Sequence, residues 1–206
     1  MRQRLMTNSL AGVTSPILTG IRTMTPTLES QALAATTLPD GFDVLDVCHR
    51  QTVLTLGKLA ALISSLIKSG PDADSRSLAK EIIGHFSTTA REHHEDEERH
   101  LFPRLLRDGD AATTQAVQRL QQDHAWLELD WREIGPHLDA VASGQSSYDL
   151  DFLREAAAVF TALSHDHIAL EESFIYPNAR GRMGDGARLE MGREMAARRR
   201  AQRRPV

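Results

Sequence analysis

From Asp40 onward, apolar residues recur every three or four positions, and turn signals cut the chain into helix-length blocks. In the first block Leu45, Cys48, His49, Thr52, Leu56, Leu59, Ile63 and Leu66 share one face, and Ser69-Gly70-Pro71-Asp72 ends it and starts the next. The second block, about 73–107, carries Leu78, Ile82, Phe86, His93 and Glu97 inward and stops at Asp108-Gly109-Asp110. A third, about 111–142, ends at Ser143-Gly144, and Ser146 or Ser147 can cap a fourth of about 148–180. Gly181 to Gly186 break the pattern before a short Arg-rich helix of about 187–200. Pro103 and Pro177 each remove a backbone hydrogen bond and favour a bend or stop, and Pro136 should kink the third helix. Four long helices with short connections predict an all-α protein, an up-down-up-down antiparallel four-helix bundle followed by a short C-terminal Arg-rich helix.

The polar positions on the inner faces repeat. HHEDEERHLFP at 93–103 returns as HIALEESFIYP at 167–177, which pairs His93 with His167, Glu97 with Glu171, Glu98 with Glu172, Phe102 with Tyr176 and Pro103 with Pro177. His49 precedes His93 by 44 residues and His124 precedes His167 by 43, so each half reads His, a long gap, then His-x-x-x-Glu. Residues i and i+4 stack on one helix face. At 1.5 Å per residue His93, His124 and His167 fall at one level of the bundle, about 20 Å from the same end, with His49 slightly nearer that end. His49, His93, Glu97, His124, His167 and Glu171 therefore converge as a metal site, with six ligands enough for two ions that share both carboxylates.

Imidazole and carboxylate together suit iron, zinc, copper or manganese, whereas calcium or magnesium would take oxygen alone. The single cysteine, Cys48, rules out a thiolate zinc finger. Such a pair leaves room on each ion for a bridging oxo or hydroxo group and a small external ligand. Leu56, Phe86, Trp131 and Phe160 lie seven residues from ligands on the ligand faces and should form a dry pocket. Tyr176, nine residues beyond His167, falls half a turn away, so no tyrosine is expected there. A dry pocket without an acid, base or tyrosine suits a diatomic gas.

The other histidines read differently. His94 with Glu98 makes an alternative HxxxE, but its counterpart is Ile168, which favours the register through His93. His100 is expected to pack near the bundle end and His165 to face solvent, with His85 and His137 structural.

Composition adds limits. The net charge of −4 conceals a basic start, with three Arg and no acid in 1–28, and a basic end, with nine Arg and three acids in 178–206. The body between is strongly acidic, which argues against a nucleic-acid-binding core. Residues 1–38 resemble a transit peptide or read as a disordered or mis-annotated leader. The bundle is then assigned to 39–180 and a basic helix or tail to 181–206. Arg198-Arg199-Arg200 and Arg203-Arg204 could meet nucleic acid, an acidic partner or the protein's own acidic body, with a solvated tail as the expectation. The acidic run Glu92–Glu98, ligand aside, reads as a solvated face. The apolar stretches are broken by Ser and Lys, so no membrane helix is expected, and the lone cysteine suits a reducing cytoplasm.

The doubled pattern of His, HxxxE, His and HxxxE, with LFP after the first HxxxE, resembles the hemerythrin-like (HHE cation-binding) family over about 42–180. That resemblance implies a four-helix bundle around a non-haem centre of two iron ions, oxo- or hydroxo-bridged, with the six residues above as ligands. The four-His, two-Glu set is similar to bacterial di-iron proteins that repair iron–sulfur centres after nitrosative or oxidative stress. The expected role is a binding protein that binds or reacts with oxygen, nitric oxide or peroxide, as sensor, scavenger or iron-handling stress protein. A di-iron enzyme or repair protein with a redox or cluster partner is the first alternative, and a purely structural bundle the second.

Overall fold

The computed structural model describes residues 40–202, so the expected leader over 1–38 and Arg203 and Arg204 lie outside the described residues. The described residues are helical, with no strand among them. Helix α1 (Gly41–Ser69) leads into a long interrupted helix composed of α2 (Ala73–Gly84), a π-helical turn π1 (His85–Thr89), α3 (Ala90–His100) and α4 (Phe102–Asp108). Helix α5 (Ala111–Ala142) is followed by α6 (Leu150–Leu170), a second π turn π2 (Glu171–Ile175), α7 (Tyr176–Gly181) and finally α8 (Asp185–Gln202).

Helices α1, α2, α5 and α6 each start on an aspartate. Asp40, Asp72, Asp110 and Asp149 accept hydrogen bonds from the backbone N–H of Phe42, Ser75, Thr113 and Phe152. A carboxylate at a helix start satisfies an orphan N–H and complements the helix dipole, so Asp149 takes the cap expected of Ser146 or Ser147. Gly70 and Gly144 have φ of 68° and 71°, a conformation that favours glycine at a helix end.

The prolines act unequally. Pro103 and Pro177 are the second residues of α4 and α7, and the chain yields just before each of them. Leu101 forms a turn between α3 and α4. Ahead of Pro177 the helix widens, and the N–H of Tyr176 reaches back five residues to the carbonyl of Glu171. A missing N–H and a crowding ring disfavour the ordinary i→i−4 ladder there. Pro136, by contrast, lies inside an unbroken α5.

α1 packs on α2 and α6, and α5 packs on the same two helices. Two apolar clusters result. One gathers Leu59, Leu62, Ile82, Leu138, Phe86, Trp131 and Phe160, and the other Phe42, Leu45, Phe102, Leu105, Leu120 and Ile175. The histidines and glutamates of the repeat occupy the layer between them. α1 is long and apolar enough to cross a membrane by length and composition alone. Isolated Ser and Lys break its apolar run but do not lower the average enough to exclude it. Its inward face nevertheless carries His49, Thr52 and the core leucines.

α8 packs along α1 and α3, with Met191 and Met195 inserted into the second cluster. Arg198 and Arg199 both bind the carboxylate of Asp96, which is wholly buried, and Arg199 also meets Glu92 at 3.3 Å. This corrects two expectations at once. Within the described residues the basic end binds the protein's own acidic body, and part of the run Glu92–Glu98 is covered rather than solvated. The long guanidinium stems cover the carboxylates while their heads pair with them.

Candidate metal centre

α1 supplies His49, α3 supplies His93, His94 and Glu97, α5 supplies His124, and α6 with π2 supplies His167 and Glu171. All six residues expected to converge are buried and come together. Donor atoms of His49, His93, Glu97 and Glu171 lie within 4.8 Å of one another, as do those of Glu97, His124, His167 and Glu171. The two carboxylates belong to both groups. Glu97 Oε2 is 3.6 Å from His93 Nε2 and 3.4 Å from His124 Nε2. Glu171 reaches His49 Nε2 at 3.1 Å with one oxygen and His167 Nε2 at 3.0 Å with the other.

A third group joins His94 to His124 and His167. The His94 ring stacks on His124 with centroids 4.0 Å apart, so both neighbouring histidines of α3 face the layer. The pairing of His94 with Ile168 pointed away from this arrangement. The adjacent pair His93-His94 was the available signal, because residues 100° apart on a helix can flank one central point.

The imidazoles are oriented from behind. His124 Nδ1 donates to Glu98 at 2.8 Å, and His49 Nδ1 donates to Glu172 at 3.0 Å. A carboxylate only accepts, so Nδ1 carries the proton and Nε2 presents its lone pair to the centre. Glu98 and Glu172 are partners in the repeat, and that pairing was the signal for a shared role. His167 Nδ1 lies 3.8 Å from Asp123, too far for a direct bond.

The electrostatics are those of a site short of positive charge. Burial, then the neighbouring Glu171, push the Glu97 carboxyl up to about 7. Burial also opposes ionisation of Glu171, but His167, His124 and His49 outweigh it and hold that carboxyl well below its usual range. Burial disfavours a charged His167, yet Glu171 and Asp123 raise it to about 9. His93 is driven well down by burial and by His49.

Several buried atoms have no hydrogen-bond partner, namely Glu97 Oε2, His124 Nε2, His167 Nε2 and both oxygens of Glu171. They face one another across the layer. Orphaned buried polar atoms carry a large desolvation penalty, and a cation satisfies lone pairs of this kind together. Nitrogen and oxygen donors without sulfur match a transition-metal ion. The buried His/Glu cluster fits a metal site.

On one side lies a cavity of about 40 Å³, bordered by Phe86, Trp131, Phe160, Leu127, His94 and His167. A water needs roughly 10–15 Å³ on this measure, so the space suits a very small ligand. Phe86 stands edge-on to Phe160 with centroids 5.0 Å apart, and Trp131 lies 5.0 Å from Phe86. Leu56 is buried in the core and does not border the cavity. The ion pair of Arg91 with Glu128 sits at its edge.

Tyr176 does not border this cavity, but it faces the layer of histidines and glutamates instead of lying half a turn away from it. It is 3% exposed, and its hydroxyl donates to Glu97 Oε1 at 2.6 Å and lies 3.1 Å from His49 Nε2. Each α-helical residue turns about 100°, which puts nine residues half a turn away. The wider π2 turn between His167 and Tyr176 takes up less rotation per residue and brings the ring back inward.

The remaining histidines lie outside this layer. His85 accepts or donates a 3.0 Å bond with Thr52, His100 pairs with Glu194 of α8 at 2.7 Å, and His137 accepts from the N–H of Asp149. His165 is exposed. Cys48 is buried, and burial pushes its thiol up to about 12, which disfavours the thiolate.

Residues 40–197 match the Hemerythrin HHE cation binding domain. An uncharacterized protein of Haemophilus influenzae is 28% identical over 172 residues, which cover 84% of this chain and 96% of that relative.

Proposed function

Because the chain belongs to the hemerythrin HHE cation binding domain family, we propose that its polar layer holds two iron ions and serves a small diatomic ligand, oxygen or nitric oxide, or peroxide. The role is that of a sensor, scavenger or iron-handling stress protein in a reducing cytoplasm. The set of buried, partnerless donor atoms shared between two histidine groups carries this reading. His49 and His93 would hold one ion and His124 and His167 with His94 the other, and the carboxylates of Glu97 and Glu171 belong to both donor groups. The short connections and the packing of each long helix on its chain neighbours support an up-down-up-down antiparallel arrangement around the centre.

Bound iron would supply reversible one-electron changes and coordination positions for a small ligand. The chain does the rest. Glu98 and Glu172 fix two imidazole tautomers, Phe86, Trp131 and Phe160 exclude bulk water, and the tight cavity sets an upper limit on ligand size. A second reading, a di-iron enzyme or a repair protein for iron–sulfur centres, draws support from Tyr176, whose hydroxyl is a proton donor within the centre.

Metal analysis of protein purified without oxygen tests the assignment, with about two iron ions per chain expected from the two donor groups. Optical spectra on adding air or nitric oxide test the ligand class. Protein that retains no metal overturns the reading, and iron-loaded protein whose spectrum ignores both gases reduces it to passive iron binding.

A further inference from the structure

The two halves of the repeat differ at two positions that matter here, and the differences are complementary. Phe102 stacks on His124 with centroids 5.6 Å apart, and its partner in the repeat, Tyr176, stacks on His49 with centroids 5.2 Å apart. The geometry is alike, but only Tyr176 carries a hydroxyl. Conversely, His94 lies beside His124 and His167, while its repeat partner is Ile168. Each end of the centre therefore gains one polar group that the other end lacks.

Donors on one ion, at bonds of about 2.1 Å and right-angle spacing, lie about 3 Å apart. At the His49 end the spacings follow that rule. His49 Nε2 is 3.0 Å from His93 Nε2, 3.1 Å from Glu171 Oε2 and 3.1 Å from the Tyr176 hydroxyl. The phenol oxygen thus sits among the donor atoms rather than behind them, unlike Glu98 and Glu172, which touch only the outer ring nitrogens. The ring stacks on His49, meets Phe42 edge to face and directly follows π2.

We propose that Tyr176 is a metal ligand through its phenol oxygen, at the end of the centre formed by His49 and His93, so that the two ions have different donor sets. This rests on the proposed iron centre. On binding ferric iron the phenol loses its proton to solvent and forms an oxygen–metal bond, and no electron is transferred. The other end would take the His94 imidazole, whose donor atom lies within 4.8 Å of those of His124 and His167.

A phenolate on ferric iron gives a visible charge-transfer band, and excitation into it enhances tyrosine ring vibrations in the resonance Raman spectrum. The chain has two tyrosines, Tyr148 and Tyr176. Iron-loaded, oxidised protein is compared as wild type, Tyr148→Phe and Tyr176→Phe at equal iron content. Wild type and Tyr148→Phe should show the ring modes, and Tyr176→Phe should lose them. Ring-deuterated tyrosine incorporated into Tyr148→Phe assigns the modes without altering the centre, so the test stands even if Tyr176→Phe fails to fold. Iron-loaded wild type without tyrosine modes overturns this inference alone and leaves Tyr176 a hydrogen-bond donor to Glu97. Protein that takes up no iron overturns both this inference and the iron centre.

Discussion

Replacing Arg198 and Arg199 together by Met would test how α8 is held. Methionine keeps much of the apolar stem and removes only the guanidinium, so the loss reports charge more than packing. Asp96 is wholly buried, and the two arginine side chains are 10% and 19% exposed. Breaking a buried pair by removing one partner costs about 3–5 kcal/mol, because the remaining charge is left in low dielectric. The partial exposure of the arginines favours the lower half of that range. Either single replacement leaves one guanidinium on Asp96 and should cost about 1.5 kcal/mol, the low end for a charge-assisted bond. Adding Asp96→Leu to the double variant removes the orphaned carboxylate and should recover most of the stability.

The pH dependence has a definite sign. Burial raises the Asp96 carboxyl above its ordinary value despite the pull of Arg199 and Arg198. A carboxyl raised in the folded state costs nothing below its unfolded value of 3.8 and progressively more as pH rises through the folded value. Without the guanidiniums that value rises further, so the deficit of the double variant should grow from weakly acid pH to pH 8. Urea unfolding of iron-loaded wild type, double and triple variants at several pH values measures this through the shift in midpoint at constant slope. A double-variant loss below about 1 kcal/mol, as for a surface pair, would refute the reasoning. So would a triple variant no more stable than the double.

Three other outcomes are expected. His94→Ala should lower iron content or its affinity, contrary to what the pairing with Ile168 implies, and His165→Ala should not; full retention in the His94 variant, by metal analysis after dialysis, removes His94 from the centre. Phe86→Ala and Phe160→Ala should each cost roughly 3–5 kcal/mol in packing and, at equal iron content, speed nitric oxide release from the reduced protein, measured by stopped-flow absorbance. Burial, with Lys58 nearby, lowers His85 to about 4 from 6.5, so its contribution to stability is complete above pH 6.5 and lost as pH falls toward 4; His85→Gln should flatten the pH slope of the melting temperature in that window relative to wild type.

The helix limits were legible because the signals are local. Apolar spacing and the Ser, Gly, Pro and Asp turn signals between blocks act within one or two turns, and the observed ends fall within a few residues of the expected ones. The convergence of His49, His93, Glu97, His124, His167 and Glu171 was legible for a different reason. An internal repeat places two copies of one pattern on helices of similar length, so their levels match without any knowledge of tertiary contacts. Asp96 and Glu92 were not legible. Charged residues next to ligands read as solvent-facing, whereas the arginines of α8, which returns across α3 about 100 residues later, pair with them.

Tyr176 exposes the assumption beneath every helical-phase argument, that rotation per residue is constant. Between His167 and Tyr176 the chain spends five residues in π2, and the accumulated difference moves a side chain from outside the centre to within hydrogen-bonding distance of Glu97. The repeat contained the correction. Phe102 and Tyr176 occupy the same place in the two halves, and Phe102 stacks on His124 as Tyr176 stacks on His49. Equivalence within the repeat depends only on the two halves bending alike, whereas phase depends on an ideal helix throughout. Both halves do yield just before their LFP or IYP proline, one at the Leu101 turn and the other at π2, for the shared reason that proline offers no N–H to the preceding turn. A repeat therefore predicts side-chain position through a helix irregularity that phase counting misses. In this chain the irregularity falls where it aims a phenol oxygen at the His49 end of the centre.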